Sequence, residues 1–266
     1  MNILSPTDFS VNAELATQFA IDLTRLSGGQ LFCFHSYDLP YSDRSMSTSL
    51  MDAMRKNAEE NMTIFEAKLR NQNVKAHTDV VIGNPIRMAK ELVKRYNINM
   101  VVMGTKGASG LEEFLIGSNA ASVIQNVDIP VYVIPPHSKL KPVKKIVLAS
   151  DLVLKNKEQP LQRLKAFADL YGASIDIVHI KKDRDDSEAT QQFLEECFGN
   201  TPYTFTEIHD ENVENAILNE CENRGADVLA AITKHYGFFE GLFHQSFTSK
   251  LAYHSTIPLL ALHEPK

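Results

Sequence analysis

The sequence predicts an α/β protein of two tandem domains, each a five-stranded parallel sheet covered by helices. The first observation is a repeat at domain scale. "INMVVMGTKG" (98–107) lies over "ADVLAAITKH" (226–235), and "VDIPVYVIP" (127–135) lies over "STIPLLALH" (255–263), at one offset without a gap. A shared offset over so long a stretch indicates duplication better than any single match. "NILSPTD" (2–8) likewise reappears as "KIVLASD" (145–151). The second observation is alternation. Short apolar runs take turns with longer runs whose apolar residues recur at helical spacing, which is the pattern of strand–helix units in a parallel sheet. The 266 residues suffice for two ordinary domains. "PPHSKLKPVKK" (135–145) has paired prolines and a polar excess and reads as the linker. The expected domains are 1–136 and 143–266.

In the first half, "NILSP" is a short strand. "NAELATQFAIDLTRL" (12–26) has helical spacing and stops at Gly28-Gly29. "QLFCFHSY" (30–37) is a strand, and "SLMDAMRKNAEENMTIFEAKLRNQ" (49–72) a long amphipathic helix. Its Met51, Met54 and Met62 serve packing or a lid surface. "VKAHTDVVIG" (74–83) is a strand with polar alternation. "NPIRMAKELVKRY" (84–96) is a helix with Asn as cap and Pro in its first turn. "INMVVMG" (98–104) is a buried strand, "SNAASVIQNV" (118–127) a helix and "IPVYVIP" (129–135) the last strand. The second half follows the same order with a shorter second helix, about 186–197.

A hydrophobic fraction of 44% and a charged fraction of 23% are those of a globular chain. A net charge of -6 gives no general reason to bind nucleic acid or an anionic membrane. "KKDRDD" (181–186) mixes signs and reads as a solvated loop. The three cysteines, Cys33, Cys197 and Cys221, form no CxxC, which fits thiols in a reducing compartment rather than a disulfide frame or a zinc site. Strand-like residues begin at once, where a signal peptide would lie. No apolar run approaches the ~18 residues of a membrane span. The expectation is a cytoplasmic protein without a membrane or nucleic-acid partner.

"MGTKGASGLEEFLIGSNAAS" (103–122) carries the chemistry. In open parallel sheets, ligands sit beyond the carboxyl ends of strands where the winding reverses. Gly104, Asp8 and Ser36 all lie at or just past strand ends and can converge there. Gly104-x-x-Gly107, nine residues, then Gly117-Ser118 lets backbone approach a ligand or take positive φ. It then opens a helix whose free N–H groups suit a phosphate. Each glycine taken singly also reads as a plain turn, and Gly110 is assigned only a turn. The pattern is neither GxxxxGK[ST] nor GxGxxG.

These residues resemble the universal stress protein family. "ILSPTDFS" is similar to its opening strand, usually written with Val where this chain has Ser5, and "VIGNP" (81–85) to the segment before its third helix. The glycine spacing matches its ATP-binding signature without a departure. The resemblance covers the first half at motif level and the second by architecture and "IPLLAL". It implies an adenine nucleotide alpha hydrolase-like, Rossmann-like fold and a site for ATP, with or without Mg, with ADP or AMP as alternatives. Pro6, Thr7 and Asp8 would face adenine and ribose, and Ser36 would offer backbone groups to adenine. Met103 and Gly104 would lie near the ribose, and Gly107, Gly117, Ser118 and Asn119 would hold the phosphates. Asp8 also reads as a cap of the next turn, and Lys106 as a solvated side chain. In this family the final strands pair across a dimer, so "VYVIP" and "LLALH" would pair within one chain as a pseudo-dimer, with a homodimer as a further step.

The second half departs at the matching positions. Gly104 becomes Ile232, Gly107 becomes His235 and Gly117 becomes Gln245, while Ser246 and Asp151 remain. The expectation is that this half binds no ATP. "HYGFFEGLFHQS" (235–246) instead offers packing, docking or an apolar ligand site. His235, His244 and His254 share no i, i+4 spacing that would suggest a metal. Three functions follow: an ATP-binding regulatory module, a slow ATPase or phosphoryl-transfer enzyme, and a nucleotide-independent scaffold. Phosphoryl transfer wants a metal on carboxylates and a positioned base. Asp8 is the one carboxylate placed at the crevice, Glu112 and Glu113 read as solvated, and no nucleophile–base pair is evident.

Overall fold

A computed structural model describes residues 1–38, 48–105, 118–150, 157–180, 187–208, 212–233 and 257–265. Those up to Pro136 form one compact unit and those from His137 a second.

The first unit runs β1 (Asn2–Pro6), α1 (Val11–Ser27), β2 (Gln30–Tyr37), α2 (Thr48–Arg70), β3 (Ala76–Ile82), α3 (Pro85–Arg95), β4 (Met100–Gly104), α4 (Ser118–Asn126) and β5 (Val131–Ile134). The strand order is β3-β2-β1-β4-β5, all parallel. Strands covered on both faces read as continuous apolar runs. Met100–Met103 and Val131–Ile134 are accordingly buried throughout. The edge strand β3 groups its polar residues, His77 to Asp79, ahead of Val80–Ile82 instead of alternating, and is only half-buried.

Each helix follows from its spacing and caps. Ala13, Ala16, Phe19, Ala20 and Leu23 line the buried face of α1, which packs on β1, β4 and β5. The Ser10 hydroxyl accepts from the Ala13 N–H at its start, and Gly28 takes left-handed φ 62° at its end. In α2, Ala58, Met62, Phe65 and Leu69 are buried, while its outer face carries i,i+4 ion pairs such as Arg55–Glu59. Met51 and Met54 are half-buried. Asn84 caps α3 by accepting from the Ile86 and Arg87 N–H groups, with Pro85 in the first turn.

The second unit repeats the plan: β6 (Lys145–Ser150), α5 (Glu158–Tyr171), β7 (Ser174–Ile180), α6 (Ser187–Phe198), β8 (Tyr203–Ile208), α7 (Val213–Arg224), β9 (Val228–Thr233) and β10 (Leu259–His263). Its order, β8-β7-β6-β9-β10, matches the first unit strand for strand. The stretch that would match α4, together with the aromatic loop 235–246, lies outside the described residues.

Each unit has, within itself, a latch at the amino ends of its own strands. In the first, the Asn2 N–H donates to Asn99 Oδ1 at 2.7 Å and the Asn99 N–H to the Asn2 carbonyl at 2.8 Å. In the second, the Lys144 and Lys145 N–H groups donate to Asp227 Oδ2 at 2.8 and 3.0 Å, and the Asp227 N–H donates to the Lys145 carbonyl at 2.9 Å. Lys141, from the expected linker, adds an ion pair to Asp227 at 2.5 Å.

Candidate functional site

In the first sheet the chain leaves β1 for β2 and β3 on one side, then crosses to β4 on the other. The winding therefore reverses between β1 and β4, which is where ligands sit in such sheets. Pro6 ends β1 and Gly104 ends β4, so Asp8 and Gly104 flank the reversal. Ser36 is half-buried near the carboxyl end of β2, and Met103 is buried in β4. Ser118 opens α4, and Asn119 follows it, exposed, in the first turn. Gly107 and Gly117, with Lys106 and Gly110, lie outside the described residues.

Gly104 has a reason to be glycine within the protein itself. A Cβ there would meet Asn12 Nδ2 at 2.7 Å and the Asn12 carbonyl at 3.1 Å. A side chain at 104 would therefore require the Asn12 side chain to move and the start of α1 to give way slightly.

The segment between β1 and α1 is a tight, hydrogen-bonded turn. The buried Thr7 donates its N–H to the Phe34 carbonyl at 2.9 Å, and its hydroxyl accepts from the Phe9 N–H at 3.0 Å. Asp8 Oδ1 accepts from the Ser10 N–H at 3.1 Å and the Ser10 hydroxyl at 2.6 Å. One carboxylate oxygen of Asp8 is thus committed to the turn, close to the start of α1, where the helix dipole favours negative charge. Phe9 takes φ 62°, a conformation side chains other than glycine seldom adopt. Backbone strain of this kind gathers at functional sites.

His35 escapes a reading from motifs. Its Nδ1 lies 2.9 Å from the Thr7 carbonyl, and its ring centroid 4.6 Å from that of Phe9. The second unit repeats the contact: His179 Nδ1 lies 3.1 Å from the Ser150 carbonyl. The signal in the sequence is "FHS" against "VHI", one histidine in the second strand of each half.

The second unit differs where the site would be. Ile232, matching Gly104, carries a buried side chain. Seven residues (151–157) join β6 to α5, against four (7–10) between β1 and α1. No side chain caps α5 at Lys157; this lysine is 2% exposed and pairs with Glu264 at 2.7 Å. His235, Gln245, Ser246 and Asp151 lie outside the described residues, as do His244 and His254.

The described residues offer little reactive chemistry. Burial pushes the Cys221 thiol up to about 12 and the Cys197 thiol, beside Glu158 and Glu196, up to about 11. Burial raises Cys33 further still. All three stay protonated and unreactive. Among the described residues no group of three His, Cys, Asp or Glu could hold a metal ion. None of their helices is long and apolar enough to cross a membrane.

A strand order that reverses beside a glycine-ended strand describes many α/β proteins. The family model decides among them: the universal stress protein family model matches residues 1–135. The chain belongs to the universal stress protein family. Universal stress protein MJ0531 of Methanocaldococcus jannaschii is 27% identical over 141 residues, 52% of this chain and 83% of that protein. Universal stress protein MJ0577 of the same organism is 27% identical over 150 residues, 50% of this chain and 93% of that protein. A solved universal stress protein from Archaeoglobus fulgidus shares the fold over 100% of this chain and 97% of its own, with a TM-score of 0.74 at 21% identity. Both units of the chain thus have their counterpart in the universal stress protein fold.

Proposed function

We propose that the first unit binds one adenine nucleotide, ATP, and that the second binds none. On this reading the protein is a nucleotide-binding regulator of the stress response rather than an enzyme. The observation that carries it is the placement of Asp8 and Gly104 on either side of the winding reversal, with the start of α4 following β4 in the chain. Pro6, Thr7 and Asp8 face the adenosine end, Ser36 meets adenine through its backbone, and Met103 and Gly104 lie along the ribose. Gly107, Gly117, Ser118 and Asn119 hold the phosphates, with or without Mg; ADP and AMP are the competing ligands. The first turn of α4 has N–H groups with no partner inside the helix, which suits an anion. The second unit has Ile232 in place of Gly104, and the lysine at the start of α5, Lys157, is buried in an ion pair with Glu264 and does not cap the helix with its side chain.

Equilibrium dialysis with labelled ATP tests the reading. Saturable binding is expected for the natural chain and its loss for Gly117→Val. An absence of saturable binding, or binding indifferent to Gly117→Val, would overturn it. Phosphate release compared with Asp8→Ala separates this role from a slow ATPase: a regulator gives no release that depends on Asp8.

A further inference from the structure

Asn12 is the second residue of α1, and the start of that helix stands at the carboxyl end of the first sheet. Side chains on a helix lean toward its amino end. Asn12 therefore leans toward the end of the sheet at which the winding reverses. Gly104 shows where its amide lies. A Cβ built on Gly104 would meet Asn12 Nδ2 at 2.7 Å and Asn12 Cγ at 3.0 Å. The amide thus lies beside the last residue of β4, in the space a side chain at 104 would enter. Asp8, four residues before Asn12, is tied into the turn that leads to α1. Asp8, Asn12 and Gly104 therefore meet at one reversal, each from a different segment of the unit.

The second unit shows the alternative. Counted from the helix start, Gln159 of α5 matches Asn12, and Ile232 matches Gly104. Ile232 is 3% exposed, while Gln159 is exposed to solvent. The unit whose strand ends in glycine has a half-buried Asn12 beside it. The unit with isoleucine there has its amide residue in water.

A side-chain amide offers both a donor and an acceptor, and so does a sugar hydroxyl. Phosphates at neutral pH offer mainly acceptors. On the nucleotide reading, adenine meets Ser36 at the end of β2 and the ribose lies along Gly104. We infer that Asn12 is a specificity-determining residue whose side-chain amide hydrogen-bonds a ribose hydroxyl, so that the first unit prefers a ribonucleotide to one whose sugar lacks hydroxyls. The inference rests on the nucleotide reading and adds a side chain from α1 to that site. A site that pairs a substrate hydroxyl rejects the analogue without it, because the polar group facing it loses that bond.

The test compares ATP with dideoxy-ATP, which lacks both ribose hydroxyls, by calorimetric titration of the full-length chain. Inorganic tripolyphosphate serves as the probe without sugar or base. The natural chain should bind ATP about tenfold more tightly than dideoxy-ATP, or better. Asn12→Leu, of similar size and without a hydrogen-bonding group, should lower ATP affinity about tenfold. It should leave dideoxy-ATP and tripolyphosphate unchanged. Asn12→Asp, which keeps an acceptor for the hydroxyl, should keep the preference for ATP over dideoxy-ATP. A merely structural role would weaken all three ligands together in Asn12→Leu, and that outcome overturns the inference. Equal binding of ATP and dideoxy-ATP by the natural chain overturns it as well, while the nucleotide reading stands. If Asn12→Leu does not fold, Asn12→Ala takes its place with the same expectation. Failure of the natural chain to bind ATP overturns the nucleotide reading and this inference with it.

Discussion

Ser5 lies fully buried in β1 with its hydroxyl 3.3 Å from Thr17 Oγ1 on α1. Thr17 spends its one hydroxyl hydrogen on the Ala13 carbonyl at 2.9 Å. The Ser5 hydroxyl must therefore donate to Thr17. Removing the two groups should then have unequal effects. Ser5→Ala takes away a donor and leaves Thr17 bonded to its helix, at a cost of about 1 kcal/mol. Thr17→Val leaves the Ser5 hydroxyl buried with no acceptor, at a cost of about 1–3 kcal/mol. Urea unfolding of the two variants checks the order; a larger loss for Ser5→Ala would contradict this polarity. The sequence shows Ser5 as a departure from the usual Val of its family's opening strand. It does not show Thr17 as the partner, because the pair joins a strand to a helix and depends on how the helix is rotated. The same limit hid His35. A single histidine in an apolar strand has no motif, and its contact with the Thr7 carbonyl appears only once the fold places the two side by side.

The elements were largely legible because each obeys a local rule. Helical spacing placed α1 and α2 to within two residues at each end, and Asn84-Pro85 marked the start of α3. The latches at the amino edge were not legible, since Asn2 and Asn99 lie 97 residues apart and meet only through the sheet. The two latches differ in charge, and that difference is testable. Burial alone would raise the Asp227 carboxyl. The Lys141 ammonium and the Lys144 and Lys145 N–H groups outweigh this and hold it below the usual carboxylate range. A carboxyl depressed in the folded state stabilises above its unfolded value, and that stability is lost as pH falls through the folded value. Stability should therefore fall on acidification below about pH 4. Asp227→Asn should be less stable by about 1–3 kcal/mol near neutrality and lose less on acidification. A pH series of urea unfolding on both chains measures this; parallel curves would contradict it. The first unit's latch uses the neutral Asn99 and contributes no such dependence.

At the scale of the molecule, duplication was the strongest signal in the chain, and the two units keep one strand order. The site was only partly legible. Asp8, Ser36 and Gly104 stand out as candidates because strand ends and glycines are local features, and the fold sets Asp8 and Gly104 at one reversal of winding. The role of Gly104 was legible only as an option: its close neighbour in the structure is Asn12, four residues past Asp8 on the next helix. Where the β1–β2 register stops was not legible, because a register ends by geometry and leaves no mark in composition. The proposed function rests on an asymmetry: two like units and one nucleotide. Calorimetric titration of the full-length chain with ATP measures it directly. One ATP per chain is the expected result. Two sites per chain, or none, would contradict the asymmetry.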